Sequence, residues 1–244
     1  MNKPTRGADK IISSISTKIS NGALKSGDRL PSEAKLCEEF AVSRTVIREA
    51  IQQLKAIGVI QTITGSGSYI TDGDLLGLKN SLEFFSIMTG DTSSWLELLE
   101  LRVLLESSCA RKLAGDGFTE EGLAKLQYAY DQQVANQDNT LLFSELDVKF
   151  HQALTAASGN KIIAAVLSSL ENLQKKFSKE TYLEKDGDVL TERNLEEHLA
   201  IVRAIESRDP DLAEKAMKDH LDETRKFLLQ YIERREKAVP SSVQ

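Results

Sequence analysis

Residues 30–70 read LPSEAKLCEEFAVSRTVIREAIQQLKAIGVIQTITGSGSYI, and the organisation of the whole chain follows from them. Pro31 holds the entry extended and Ser32 is placed to cap a short helix that ends near Phe40. Ala41-Val42 makes a tight connection, and Ser43 caps a second helix, on which Val46, Ile47, Ala50, Ile51 and Leu54 recur at helical spacing. Gly58 stops that helix. Two β-branched runs follow, Val59–Thr64 and Ser68–Thr71, with Gly65-Ser66-Gly67 between them as the tip of a hairpin. Helix, turn, helix, hairpin is the order of a winged helix-turn-helix. Before it, Ile11, Ile12, Ile15 and Ile19 predict a first helix over 9–21, and Lys25-Ser26-Gly27-Asp28 a turn.

The second helix carries cations where a groove reader needs them. Arg44, Thr45 and Arg48 lie at its start and off the apolar stripe, and the N-terminal residues of a recognition helix reach base edges. An arginine can hold guanine O6 and N7 with two hydrogen bonds, worth about 1–3 kcal/mol of discrimination. Two arginines alone would equally be solvated helix residues; the order of elements and the glycine-tipped wing favour DNA. Together, LPSE, SRTVIREAI and the G-x-G wing resemble the DNA-binding domain of the GntR family of bacterial transcription regulators. That resemblance implies operator contacts from Arg44 and Arg48, with Lys35, Ser43 and Thr45 beside them, and a wing at Thr64, Gly65 and Gly67 reaching toward the minor groove. The family usually has an arginine after LPSE; here Ala34 stands there, followed by Lys35.

The net charge is −6, but it is unevenly placed. Residues 1–72 hold ten Lys/Arg against seven Asp/Glu, a balance of +3, and residues 73–244 hold 21 against 30, a balance of −9. A mildly basic front and an acidic rear suit phosphate contact at one end and another task behind it. With 41% hydrophobic and 28% charged residues, the composition is that of a soluble globular protein. No apolar run approaches the ~20 residues of a membrane span and no signal-peptide pattern opens the chain, so a cytoplasmic protein without membrane contact is expected. Cys37 and Cys109 lack paired spacing and are expected as thiols.

The expected domains are a DNA-binding domain over 1–72, a linker over 73–78, an all-helical domain over 79–236 and a tail over 237–244. Beyond the linker the periodicity predicts helices at about 79–89, 94–114, 119–136, 140–158, 160–179, 190–207 and 210–236, with no strand pattern. Short connections make them an antiparallel all-α bundle, so the chain as a whole is mainly α.

Chemistry in the bundle lies in polar residues on apolar faces. Over 140–158 the arc is Leu142, Phe143, Leu146, Phe150 and Leu154, with Asp147 and His151 four residues apart at its edge. His198 falls in the arc of Leu195, Leu199, Ile201, Val202 and Ile205, and His220 in that of Leu212, Ala216, Phe227, Leu228 and Tyr231. Each histidine alone reads as a core residue hydrogen-bonded to a neighbour. Three with an aspartate, on three helices of one bundle, also read as a metal site. On the 94–114 helix, Arg102 and Glu106 sit among Trp95, Leu98, Leu99, Leu105, Cys109 and Leu113, either as a buried structural pair or as a receiver for a small carboxylate. Asn172 is a further candidate for the effector, and Asn160, after Gly159, a helix cap.

The rear module is similar to the FCD effector domain of the FadR-type branch of that family, on FHQALTAASGN, EEHLAIVRAI and AMKDHL. The resemblance matches Asp147, His151, His198 and His220 to metal-binding positions, with zinc the usual ion and nickel or manganese also compatible. It places Arg102 in the region lining an effector pocket. The implied protein is a homodimeric repressor, bound to double-stranded operator DNA and released by a small organic acid such as a hydroxy acid or sugar acid. Two other classes remain open from the residues: a metal-dependent hydrolase with a DNA-binding appendage, using Glu196 or Glu197 as base, or a DNA-binding protein whose bundle only dimerises.

Overall fold

In the computed structural model the described residues are 6–72, 77–78, 80–82, 84, 93–116, 119–183 and 187–238. The chain divides into two compact units, Met1–Ser81 and Leu82–Gln244. The first contains α1 (Arg6–Ser20), α2 (Glu33–Phe40), α3 (Arg44–Ala56), β1 (Ile60–Ile63) and β2 (Gly67–Ile70). The Ser32 side chain accepts the Lys35 N–H at 3.3 Å and starts α2; Ala41, in the left-handed conformation at φ 52°, ends it and turns the chain into α3. Ser43 occupies the N-cap position of α3, but its side chain makes no capping bond, which corrects the reading of it as a cap. Its carbonyl instead accepts from Val46 and Ile47, so the first turn is held through the backbone.

The buried stripe of α3, Ile47, Ala50 and Leu54, packs with Ile11 and Ile15 of α1 and Leu36 of α2. Gly58 takes φ 77° and starts the hairpin, in which Ile60 faces Ile70 and Ile63 faces Gly67. Gly65 and Gly67, at φ 77° and 136°, hold the tip in a region that side chains disfavour. Arg29 also bridges to Tyr69, adding the segment before α2 to the edge of the hairpin.

The second unit is an antiparallel helical bundle of α4 (Ser93–Asp116), α5 (Glu120–Ala135), α6 (Thr140–Ala157), α7 (Lys161–Ser169), α8 (Glu171–Tyr182), α9 (Gly187–Glu206) and α10 (Pro210–Ala238). Side-chain caps set the starts of α5, α6 and α7: Thr119 accepts from Gly122, Asn139 from Leu142, and Asn160 from Ile162 and Ile163. One core gathers Leu99, Leu126, Phe150, Leu154 and Ile201, closed at one side by Trp95 against Phe177 with ring centroids 5.6 Å apart. Among the described residues no helix is long and apolar enough to cross a membrane, and Cys37 and Cys109 are free.

Three expectations are corrected. The single helix over 160–179 is two, broken at Leu170, whose φ −93° and ψ 4° leave the α region; its N–H bonds to the Leu167 carbonyl while its side chain is buried with Leu98 and Leu167. Leu212, counted in an inward arc, is 48% exposed, and the buried face of α10 runs through Ala213, Met217, Leu221 and Leu228. Lys237 and Ala238, assigned to the tail, belong to α10, while 239–244 lie outside the described residues. The expected 73–78 linker and 79–89 helix fall largely outside them too; residues 77–78, 80–82 and 84 are helical.

Leu54 is fully buried at the centre of the first unit. Leu54→Ala is expected to lower stability by about 2–5 kcal/mol in denaturant unfolding, with a loss below about 1 kcal/mol contradicting this packing.

Candidate functional site

The three histidines come from α6, α9 and α10, and each is turned by a bond at Nδ1. His151 Nδ1 lies 2.5 Å from Glu106 Oε2, His198 Nδ1 2.8 Å from Gln133 Oε1, and His220 Nδ1 2.7 Å from Glu197 Oε2. Carboxylate and amide oxygens accept, so each Nδ1 carries a hydrogen, and His198 and His220, kept neutral by burial, then present a lone pair at Nε2. The Nε2 atoms meet: His220 Nε2 stands 3.3 Å from both His151 Nε2 and His198 Nε2. Asp147 Oδ1 lies 3.7 Å from His198 Nε2 and 4.0 Å from His151 Nε2. All four side chains are buried.

His198 and His220, neutral and without a hydrogen at Nε2, cannot bond to one another there, whereas a cation can bind all three Nε2 atoms. Protonation is disfavoured: burial, then the neighbouring imidazoles and Arg102, push His198 and His220 well below the ordinary histidine range. The 3.3 Å spacing also suits a metal, since bonds of about 2.0–2.1 Å in a tetrahedron give an edge of about 3.3 Å. Phe150 stacks on the His198 ring at 4.0 Å between centroids and limits its tilt. The donor set of three imidazoles and a carboxylate thus fits a divalent cation, and the oxygens behind them fix tautomer and direction.

Arg102 and Glu106 form a buried pair. Arg102 Nε donates to Glu106 Oε1 at 2.7 Å, while the other Glu106 oxygen serves His151. Burial alone would raise the Glu106 carboxyl, but Arg102 and His151 outweigh it and hold it at about 2. Arg102 also lines a small cavity of about 20 Å³, with Asp147, Ser178 and Asn194 on its polar side and Phe177, Leu190 and Phe227 on its apolar side. Tyr182 donates to Asp147 Oδ1 at 3.4 Å. Asn172 is not brought there; it stands half-buried in the first turn of α8 and does not line the cavity. Glu196 is exposed, and Glu197, raised to about 7 chiefly by burial, accepts from His220.

Gln133, Tyr182 and Asn194 have no signature in the sequence. Gln133 is fully buried in a helix whose neighbouring glutamine, Gln132, is half-buried, so residue type alone could not single it out.

In the first unit, Lys35, Ser43, Arg44, Thr45, Arg48, Thr64 and Gly65 are all exposed, and Gly67 is half-buried. Arg48 Nε reaches both oxygens of Glu33, at 3.2 and 3.0 Å, so the glutamate of LPSE orients this arginine from α2. As an exposed pair it contributes at most about 1 kcal/mol, and its effect is on direction. Arg29 is a cation that the motif reading missed: its guanidinium lies across Gly67, where an added Cβ would come within 2.8 Å of Nε.

Replacing Glu106 by Gln removes the carboxylate shared by Arg102 and His151. Urea unfolding in the presence of a chelator should show a loss of about 3–5 kcal/mol, because a buried guanidinium keeps its charge without its partner; a loss under about 1 kcal/mol would contradict the pairing.

Comparison with known proteins places both units in described families. Residues 8–70 match the family described as bacterial regulatory proteins, gntR family, and residues 97–223 match the FCD domain. The HTH-type transcriptional regulator LutR of Bacillus subtilis (strain 168) is 33% identical over 219 residues, 88% of this chain and 98% of the relative. The galactonate operon transcriptional repressor of Escherichia coli (strain K12) is 28% identical over 210 residues, 85% of this chain and 90% of the relative. Among solved structures, Streptococcus agalactiae GntR has a TM-score of 0.65 at 27% identity, covering 91% of this chain and 98% of that one. A winged helix with its cations exposed at the start of α3, followed by a helical unit with inward histidines, is thus placed by sequence and fold alike: the chain belongs to the gntR family of bacterial transcription regulators and carries an FCD domain.

Proposed function

We propose that this regulator is a homodimeric repressor whose helical unit holds a divalent cation, zinc foremost with nickel or manganese as alternatives, and senses a small organic acid. The observation that carries the reading is the convergence of three buried Nε2 atoms beside Asp147. Asp147, His151, His198 and His220 would hold the cation, which supplies positive charge to a bound carboxylate. Arg102, fixed through Nε by Glu106, offers the acid a second cationic partner from α4. The name of the galactonate operon repressor joins a relative to a sugar acid, which supports that class of effector.

The size of the cavity bears on the switch. About 20 Å³ is room for one or two water-sized groups, so a larger acid enters only as Tyr182, Leu190 or Phe227 moves. Those side chains belong to α8, α9 and α10. A ligand that binds one arrangement of these helices better than another shifts the population, and affinity without that difference shifts nothing. On the DNA side, a two-fold dimer presents two copies of α3 to two half-sites. Hydrolysis is the less supported reading, since the carboxylate suited to be its base, Glu197, is bonded to His220.

Two measurements test this, using DNA fragments that the protein enriches from a random pool. Fluorescence anisotropy on the metal-loaded protein with galactonate, gluconate, lactate and citrate should show at least one acid weakening DNA binding by about tenfold or more, an effect lost in His198→Ala. No response to any of the four, or tighter binding, would contradict an acid-released repressor. Arg44→Ala should weaken binding by about 1–3 kcal/mol and relax the enriched sequence at one position; unchanged affinity and sequence would remove Arg44 from the base contacts.

A further inference from the structure

We infer that Asn194 selects hydroxy acids: its side-chain carbonyl oxygen accepts a hydrogen bond from a hydroxyl group of the effector. This rests on the cavity being the acid site proposed above and adds the residue that discriminates among acids.

The inference comes from accounting for the hydrogens in the cavity wall. Ser178 Oγ donates to the Ser144 carbonyl at 3.0 Å, Thr181 Oγ1 to the Ser178 carbonyl at 2.9 Å, and Thr224 Oγ1 to the His220 carbonyl at 3.0 Å. Each of these hydroxyls has only one proton, and it is committed to the backbone. Tyr182 gives its proton to Asp147, which as a carboxylate can only accept, and the Tyr182 oxygen in turn accepts from Asn194 Nδ2. That fixes the orientation of the amide and leaves its other end over. Asn194 is 4% exposed, and its Oδ1 is the buried polar atom of the described cavity lining that has no partner in the protein.

A buried acceptor without a donor is unfavourable, and a ligand that supplies the donor gains by removing the defect. A carboxylate has no hydrogen to offer, so the acid group does not answer this need. An ammonium group would, but it would enter a cavity already holding the Arg102 guanidinium and the proposed cation, and like charges repel. A hydroxyl is neutral and donates. The position is suitable as well: Asn194 lies four residues before His198 on α9, so the two share a helix face, and Tyr182 joins its amide to the carboxylate of Asp147. An acid whose carboxylate meets Arg102 thus finds the acceptor on the same wall as the metal-directed groups. A site built around a hydroxyl rejects the analogue that lacks it, because the acceptor is then buried unpaired.

The test is calorimetric titration of the metal-loaded full chain with three matched pairs: lactate and propionate, malate and succinate, gluconate and hexanoate. In the wild type at least one hydroxy acid should bind about tenfold or more tightly than its partner. In Asn194→Leu, of similar volume but unable to accept, the preference within that pair should vanish, the two acids binding within about twofold of one another. Equal binding within every pair by the wild type overturns the inference without recourse to any variant. So does an Asn194→Leu protein that keeps the preference. Binding of none of the six acids by the wild type overturns the acid-site reading along with it, which distinguishes that failure from one confined to Asn194.

Discussion

Three buried imidazole Nε2 atoms brought together in one bundle are the constraint on which the helical unit depends. Left to themselves such groups would rotate to find donors or shed their burial. Here the opposite edge of each ring is tied to Glu106, Gln133 or Glu197, and the His198 ring is covered by Phe150. The ties come from α4, α5 and α9, the histidines from α6, α9 and α10, so five helices meet in one polar cluster at the centre of an apolar core. A single ion at that point would join α6, α9 and α10 without requiring any of them to be apolar there.

The arrangement of charge follows from the same constraint. Arg102 and Glu106 would be a poor investment as an isolated buried pair, since desolvation of two ions commonly outweighs their attraction. Glu106 is shared, however, with one oxygen to Arg102 and the other to His151, so the pair orients a ring and fixes a cation at the cavity wall. In the first unit the opposite strategy holds. Among the described residues its core is apolar, and the groups proposed to meet DNA are exposed on the start of α3 and on a wing with Gly65 and Gly67 at its tip. Arg48 is guided from a neighbouring element, by Glu33.

How much of this the sequence discloses depends on whether the signal is local. The ends of α2, the stop at Gly58, the glycine tip of the wing and the caps at Thr119, Asn139 and Asn160 are all written within four residues of where they act. The inward direction of Asp147, His151, His198 and His220 follows from helical period alone. The break at Leu170 has no glycine or proline to announce it; buried packing decides it. Ser178, Thr181 and Tyr182 face the cavity from α8, beyond that break, and carry no sequence signal of doing so. The partners of His151 and His198 lie 45 and 65 residues away, so no spacing rule connects them, and Asn194 becomes informative only when the hydrogens of its neighbours are counted. Leu212 erred for a simpler reason: its period is right, but nothing covers the start of α10 at that position.

The most direct test of the central claim is X-ray absorption at the metal edge, on protein purified from cells without added metal and without a histidine tag. The convergence of Nε2 atoms predicts about one metal per chain, with the scattering signature of three imidazoles and an oxygen ligand at about 2.0–2.2 Å. A fully folded protein that retains no metal after dialysis against zinc, or a bound metal with fewer than three imidazoles around it, would contradict the account.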